Sequence, residues 1–331
     1  MVFKRSNRGE EMEKIRLLAV VGPTASGKTA LAVELAKRFG GEVVSADSMQ
    51  VYRKMDIATA KPTPEEMQGV PHHLIGYVGM EEPYSLARYV EDAREAIAGV
   101  ASRGAVPILA GGTGLYVDTL LENRDLGEAG GSGVLREELY AIAREKGNGY
   151  LLEMLRREDP EAAESLHENN LVRVVRALEV CRTAGMTMSE LQRRSRETEP
   201  LYDCCRIGIA YRDRQVLYER INRRVDGMLE TGLLDEARAF FREGKQTAAQ
   251  AIGYKELKPY LDGECGLEEA VESLKQATRR YAKRQLTWFR RDPRIRWVYP
   301  DGEGGAEAAL REASEIAEIF LENSKKNREE I

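Results

Sequence analysis

The chain has 331 residues, 42% of them hydrophobic and 32% charged, and a formal net charge of −5. That length allows one large or two moderate domains with a sizeable core. No apolar run approaches the ~20 residues needed to span a bilayer, and a net negative chain does not by itself advertise a nucleic-acid partner.

Residues 1–14 are polar and charged, without the apolar centre of a signal peptide. They read as a loose extension in which Met12 is an alternative start, and the expected location is cytoplasmic. The apolar run Ile15 to Val21 follows and predicts a strand. It opens into Gly22-Pro23-Thr24-Ala25-Ser26-Gly27-Lys28-Thr29, then into the helix formers Ala30 to Ala36. Strand, glycine-rich turn and helix fit the phosphate-loop pattern G-x-x-x-x-G-K-[ST]. Successive N–H groups in such a turn face phosphate oxygens, and the helix N-terminus adds partial positive charge. Lys28 supplies a cation, and the Thr29 hydroxyl can hold a magnesium ion. The pattern alone suggests a nucleotide such as ATP as readily as any other di- or triphosphate.

Gly41 to Ser45 predicts a second strand, running into Asp47-Ser48-Met49-Gln50-Val51-Tyr52. In an open parallel sheet, ligands face the carboxyl ends of strands, where Asp47 stands; a helix cap or turn explains Asp-Ser about as well. Met55 to Pro64 reads as a loop, and its Thr59-Ala60-Lys61-Pro62 is a weak ligand candidate. The adjacent His72 and His73 point apart on any regular element, so local hydrogen bonds are expected rather than zinc.

A helix is expected over 85–103 with Ser85 as its cap, then a strand from Val106 to Ala110. That strand ends in a second glycine turn, Gly111-Gly112-Thr113-Gly114-Leu115-Tyr116, either a ligand-facing turn or a tight structural one. From Asn123 the pattern changes: a linker-like stretch near Gly130, then helical patterns over 134–146, 150–157, 160–166 and 171–183, with no strand among them. Strand character returns at Cys205 to Ala210. Helices follow over 211–229, rich in arginine, over 233–241 and over 267–291, and then a last short strand at Arg296 to Tyr299. The four cysteines, Cys181, Cys204, Cys205 and Cys265, lack zinc-ligand spacing and read as reduced thiols.

The stretch from Arg279 to Arg291 is basic and contains no acid. At helical spacing it puts Tyr281, Gln285 and Trp288 on one side and Arg280, Arg284, Thr287 and Arg291 on an adjoining one. Such a patch on an acidic chain points to a polyanion, nucleic acid first.

Together these motifs resemble one family, the tRNA dimethylallyltransferases, also called tRNA isopentenyltransferases. The resemblance rests on Gly22 to Thr29, Asp47 to Tyr52, Thr59 to Pro62, Pro71 to Leu74, Gly111 to Tyr116, Arg173 to Glu179, Ile252 to Tyr254 and Lys283 to Arg290, in that order. The glycine run near Gly130, and Asn170 and Val172, depart from the family's pattern.

The resemblance implies an α/β fold: a P-loop kinase-like parallel sheet flanked by helices, bearing an inserted all-helical domain. The expected division is 14–122 with 200–312 for the core and 123–199 for the insertion, with 1–13 and 313–331 flexible or peripheral. It further implies transfer of a dimethylallyl group from its diphosphate to the N6 amine of the adenosine on the 3′ side of the anticodon, by a protein expected to be monomeric. Asp47 would be the base. Lys28, Thr113 and Arg224 would face the leaving diphosphate, with magnesium at Thr29. Asp47, Ser48, Met49, Gln50, Val172, Arg173, Val174, Val175, Arg176, Gln250, Ala251, Ile252, Gly253, Tyr254 and Lys255 would meet tRNA, as would Lys283, Arg284, Gln285, Leu286, Thr287, Trp288, Phe289 and Arg290. The rivals are an adenylate isopentenyltransferase acting on free nucleotides, a small-molecule kinase, and a tRNA-binding protein with a relic loop.

Overall fold

The computed structural model describes residues 14–127, 133–242 and 251–329, with side chains as far as 322. In chain order the first elements are β1 (Ile15–Val21), α1 (Lys28–Phe39), β2 (Gly41–Ser45), α2 (Pro64–Met67), β3 (His72–His73), α3 (Leu86–Ser102), β4 (Val106–Gly111) and α4 (Gly114–Leu121). A run of helices follows: α5 (Gly133–Lys146), α6 (Asn148–Glu158), α7 (Pro160–Glu164), α8 (Leu171–Thr183) and α9 (Met188–Glu197). The chain then forms β5 (Tyr202–Ile209), α10 (Arg214–Glu230), α11 (Leu233–Arg242), α12 (Tyr254–Leu261), α13 (Leu267–Phe289), β6 (Arg296–Val298) and α14 (Gly305–Glu329).

One compact unit runs to Val117 and resumes at Leu201; the other is Asp118–Pro200. The first holds a sheet of order β3-β2-β4-β1-β5-β6 with every pairing parallel. A central parallel strand is covered on both faces and needs an unbroken apolar run. Leu17 to Val21 satisfy this, all essentially inaccessible to solvent.

The register fixes the site. Ser45 pairs with Ala110, Ala110 with Val20, and Val21 with both Gly111 and Gly208. The carboxyl ends of β2, β4, β1 and β5 therefore lie level, and the segments leaving them emerge side by side. One core cluster joins Leu31, Leu35 and Ala36 of α1 to sheet residues and to Ala309, Ala313 and Ala317 of α14. The expected peripheral tail is thus corrected as far as Leu321: Ala309, Ala313 and Ala317 are buried in the core, and Leu310, Ile316, Phe320 and Leu321 pack against it. The helix continues to Glu329. A second cluster gathers Val51, Tyr52 and Met55 with Leu233, Phe240, Tyr254 and Leu274 beneath the segment that leaves β2.

Within its described residues the second unit is wholly helical, with a core of Leu139, Leu151, Leu155, Val174, Val175 and Leu178. Glu179 is buried there, and Arg136 meets it with two hydrogen bonds of 2.9 and 3.0 Å. The linker-like stretch around Gly130 lies outside the described residues.

Candidate active site

A cavity of about 340 Å³ opens above the level strand ends. Its lining combines the polar or loop residues Thr24, Lys28, Thr29, Asp47, Gly112 and Arg224 with the apolar residues Val225, Met228, Leu233, Ile252 and Leu274.

The phosphate loop forms where β1 hands over to α1. Gly27 caps α1 at φ 99°, and Ala25 also takes a left-handed φ of 61°. These angles curl the backbone tightly enough to start the helix at Lys28. Lys28 Nζ donates to Pro23 O at 2.6 Å. Burial, reinforced by Arg224, pushes the Lys28 ammonium down to about 7 against a smaller opposing pull from Asp47. Ser26 Oγ is buried with no protein partner.

Two arginines of α10 reach the loop. Arg224 Nη1 donates to Thr24 Oγ1 at 3.2 Å, and Arg220 Nε donates to Ala25 O at 3.0 Å. Burial lowers the Arg224 pKa from its ordinary value, with Glu66 and Asp47 working the other way. Cations held out of water in this way strongly favour an anion beside them.

The second glycine turn is packed rather than merely tight. A Cβ on Gly111 would stand 2.2 Å from Ala46 O, one on Gly112 2.2 Å from Gln285 Nε2, and one on Gly114 2.2 Å from Trp288 Cδ1. None of the three has a positive φ. They are glycine because α13 and the segment after β2 press directly on the backbone. Thr113 is pinned in that crevice: its N–H donates to Ala46 O at 3.1 Å and its Oγ1 accepts from Ser48 N at 3.0 Å.

Asp47 folds its own segment. Its Oδ1 accepts from Met49 N at 2.9 Å and Gln50 N at 3.3 Å, the hydrogen-bonded turn that Asp side chains favour. The turn and ligand readings are therefore compatible, because the same turn sets the carboxylate at the cavity wall. Gln50 Nε2 donates to Thr59 O at 3.2 Å and Ala60 O at 3.1 Å, while Ser45 Oγ donates to Gln50 Oε1 at 3.3 Å.

The basic helix is two-sided. Gln285 and Phe289 are buried, Leu286 and Trp288 are half-buried, and Lys283, Arg284, Thr287 and Arg290 are exposed. Gln285 Oε1 accepts from Thr24 N at 2.8 Å, and its Nε2 donates to Gly112 O at 2.9 Å. Phe289 is a core residue, and Gln285, though buried, lines the cavity. Arg279 is likewise used internally, against Asn222 Oδ1 at 2.8 Å and Glu272 Oε1 at 2.7 Å.

Other expected contacts divide in the same manner. Val172 and Arg173 are exposed on α8, but Val174 and Val175 are core residues of the helical unit, with no side-chain surface for a nucleic acid. Arg176 donates to Leu126 O at 3.1 Å and pairs with Glu179 at 3.8 Å. Ala251, Ile252, Gly253 and Lys255 line the cavity. Tyr254 is fully buried, stacked on Phe240 at 4.4 Å between ring centroids. Gln250 lies outside the described residues.

His72 Nδ1 meets Val70 O at 2.8 Å, a local bond as expected, whereas His73 Nε2 meets Glu42 Oε2 at 2.6 Å, 31 positions away on β2. No group of three or more potential acidic, His or Cys metal ligands occurs among the described residues. Sequence reading did not assign Arg220, Thr278, Tyr281 or the apolar lining of α10, α11 and α13 to the site. Arg220 sits one helical turn before Arg224, which could have suggested it. The apolar residues carry no signal that separates a pocket wall from a core.

The sequence matches the IPP transferase family over residues 50–292 and the isopentenyl transferase family over residues 15–78. It is 48% identical over 291 residues to the tRNA dimethylallyltransferase of Caldanaerobacter subterraneus subsp. tengcongensis, covering 87% of this chain and 92% of the relative. The full-length tRNA isopentenylpyrophosphate transferase of Bacillus halodurans shares 44% identity and a TM-score of 0.71, over 96% of this chain and 100% of the other. A eukaryotic dimethylallyltransferase acting on tRNA shares 30% identity and a TM-score of 0.81, over 93% of this chain and 80% of the other.

Proposed function

The chain belongs to the IPP transferase family, and from that premise we propose that it moves a dimethylallyl group from dimethylallyl diphosphate to the N6 amine of the adenosine 3′ to the anticodon in tRNA. One observation carries the assignment: a single cavity combines the cations Lys28 and Arg224 of the phosphate-loop region with an apolar lining, and the basic helix α13 forms part of its wall.

In this reading the diphosphate sits against Gly22 to Thr29 with Lys28 and Arg224 beside it. Diphosphate binding restores the solvation that both cations have lost. It also offers an acceptor to Ser26 Oγ, whose unpaired burial costs about 1–3 kcal/mol. The apolar residues of the lining take the five-carbon group. The wild-type loop thus holds a leaving group rather than a phosphoryl donor.

The adenine amine is a weak nucleophile, because its lone pair is delocalised into the ring. Asp47 accepts the N6 proton as the nitrogen–carbon bond forms, and a base placed in this way contributes ~10²–10⁴-fold. Its Oδ1 is committed to Met49 N and Gln50 N, so proton acceptance falls to Oδ2. The carbon–oxygen bond breaks in the same displacement, and the electron pair leaves with the diphosphate. Lys28, Arg224 and Thr113 stabilise that growing charge from fixed positions. Reaching the cavity requires the adenosine to leave its stack, and Ser48 and Gln50 hold it there.

Thr29 lines the cavity beside Lys28. A hydroxyl at the cavity wall suits magnesium, which keeps several waters and binds mainly through substrate phosphates. When bound, the ion would add positive charge at the leaving diphosphate. Lys283, Arg284 and Arg290, exposed on α13, and Arg173, exposed on α8, are the proposed tRNA contacts.

The test is transfer of label from dimethylallyl diphosphate, with magnesium, to tRNA or to AMP. Label on tRNA and none on AMP is expected. Label on AMP alone would sink the assignment, and consumption of ATP without prenyl transfer would favour a kinase.

A further inference from the structure

Three consecutive backbone amides converge on one carboxylate. Asp56 N and Ile57 N each donate to Glu236 Oε2 at 2.8 Å, and Ala58 N donates to Glu236 Oε1 at 2.9 Å. The Tyr254 hydroxyl adds a fourth bond, to Oε1 at 2.9 Å. Two carboxylate oxygens offer about four acceptor directions, so Glu236 is fully used. It comes from α11, about 180 residues beyond the amides it binds.

The segment it binds is held at its other end by a buried lysine. Lys61 Nζ bonds Tyr52 O and Asp56 Oδ1, the latter at 2.6 Å. Between these anchors the carbonyls of Thr59 and Ala60 point to Gln50 Nε2. The third bond on that amide, from Ser45, sets its oxygen. Gln50 is therefore fixed in orientation by carbonyls whose own position is set by Glu236 and Lys61. Ala58, Thr59 and Ala60 also form cavity wall directly, and Gly253 closes on them, with room for a Cβ only 3.1 Å from Ala58 Cβ.

A charge inside such a network is a demanding way to shape a surface loop. Neutral donors on a loop can be met by carbonyls or water, whereas a carboxylate binds amides with charge-assisted bonds that are roughly twice as strong. The rigidity falls on the part of the cavity wall made by Ala58, Thr59 and Ala60.

We propose that Glu236 is a positioning residue for the acceptor base: it fixes the 56–60 segment and, through the Thr59 and Ala60 carbonyls, the side chain of Gln50, without touching substrate. The proposal rests on the prenyl-transfer assignment above. It separates two substrates that a general loss of folding would not separate.

The test is a double-mutant cycle of Glu236→Gln and Gln50→Ala on the full chain, varying tRNA and dimethylallyl diphosphate in turn. Glu236→Gln keeps the shape but turns one acceptor into a donor facing amides. Its kcat/KM for tRNA is expected to fall on the order of 10- to 100-fold, the scale of a misplaced catalytic wall. Its KM for dimethylallyl diphosphate should stay within about twofold. The double variant should fall no more than about twofold below the worse single variant, because the two residues act on one path. Three results would overturn the proposal: an unchanged kcat/KM for tRNA, losses that multiply in the double variant, or equal rises in KM for both substrates. If Glu236→Gln does not fold at the assay temperature, the same cycle run with Glu236→Asp, which keeps the charge, decides between these outcomes. Failure of the wild-type chain to label tRNA would instead remove the prenyl-transfer assignment itself.

Discussion

Gln285 Oε1 lies 2.8 Å from the backbone nitrogen of Thr24, although the two residues stand 261 positions apart. The other end of the same amide donates to Gly112 O, so one side chain of the basic helix ties the phosphate loop to the second glycine turn.

Replacing Gln285 with Leu should therefore damage diphosphate binding, because the tie between the phosphate loop and the second glycine turn is lost. The buried Gly112 O loses its partner at a cost of about 1–3 kcal/mol, and the part-buried Thr24 N–H loses its own as well. The expected outcome is a lower unfolding free energy in urea and a raised KM for dimethylallyl diphosphate. Retention of wild-type KM would show that the tie does not shape the loop.

Asp47→Asn keeps the Oδ1 acceptor that folds the Met49–Gln50 turn and removes the base. Turnover on tRNA should drop ~10²–10⁴-fold while binding of dimethylallyl diphosphate, followed by calorimetry, stays close to wild type. Full turnover would remove Asp47 from the proton-accepting role.

Lys28 gives a pH dependence whose sign follows from its direction of shift. Its folded pKa is about 7, below the ordinary 10.5. Between those values the unfolded chain binds more protons, so this residue makes stability rise with pH. The penalty for holding the charged ammonium is complete below about pH 7 and fades towards pH 10.5. Lys28→Met should accordingly raise the thermal midpoint more at pH 6 than at pH 9, while weakening diphosphate binding at both. In the wild type, diphosphate binding above pH 7 should take up a proton, seen as a heat that varies with the ionisation enthalpy of the buffer. Binding without proton uptake would mean the lysine is already charged in the free protein.

Lys283, Arg284 and Arg290 are exposed on one helix. If they meet tRNA phosphates, affinity should fall as salt rises, and each substitution to Ala should reduce the slope of log K against log salt by ~0.7–0.9. An unchanged slope in all three variants would place the tRNA grip elsewhere.

The parts of the site legible in the sequence were those made by local pattern. The strand–turn–helix around Lys28 and Asp47 beyond β2 follow from chain order and the habits of parallel sheets; Thr113, beyond β4, is held against Ala46 and Ser48 and is not among the cavity-lining residues. What the sequence did not show depends on which helix face meets which loop. Gln285 and Lys283 look alike in a basic stretch, yet one is buried and the other exposed. Glu236 looks like an ordinary surface acid of an amphipathic helix, and only the fold brings Asp56, Ile57 and Ala58 to it. The glycines of the second turn were visible, but their cause, the close approach of α13, was not. The inserted helices announced themselves by period, whereas the packing of α14, through Ala309, Ala313 and Ala317 with Leu310, Ile316, Phe320 and Leu321 beside them, shows only in the fold.

The position of α14 also sets an order of assembly. The helical unit is continuous in sequence and its core draws only on its own residues. During synthesis it can close as soon as Pro200 has emerged from the ribosome. The sheet cannot, for β1 waits on β5 from beyond the insertion, and α1 shares its core with Ala309 to Ala317 near the end of the chain. Domains fold as units in the order their residues appear, so the phosphate loop, among the first segments made, is among the last to gain a finished core beneath it.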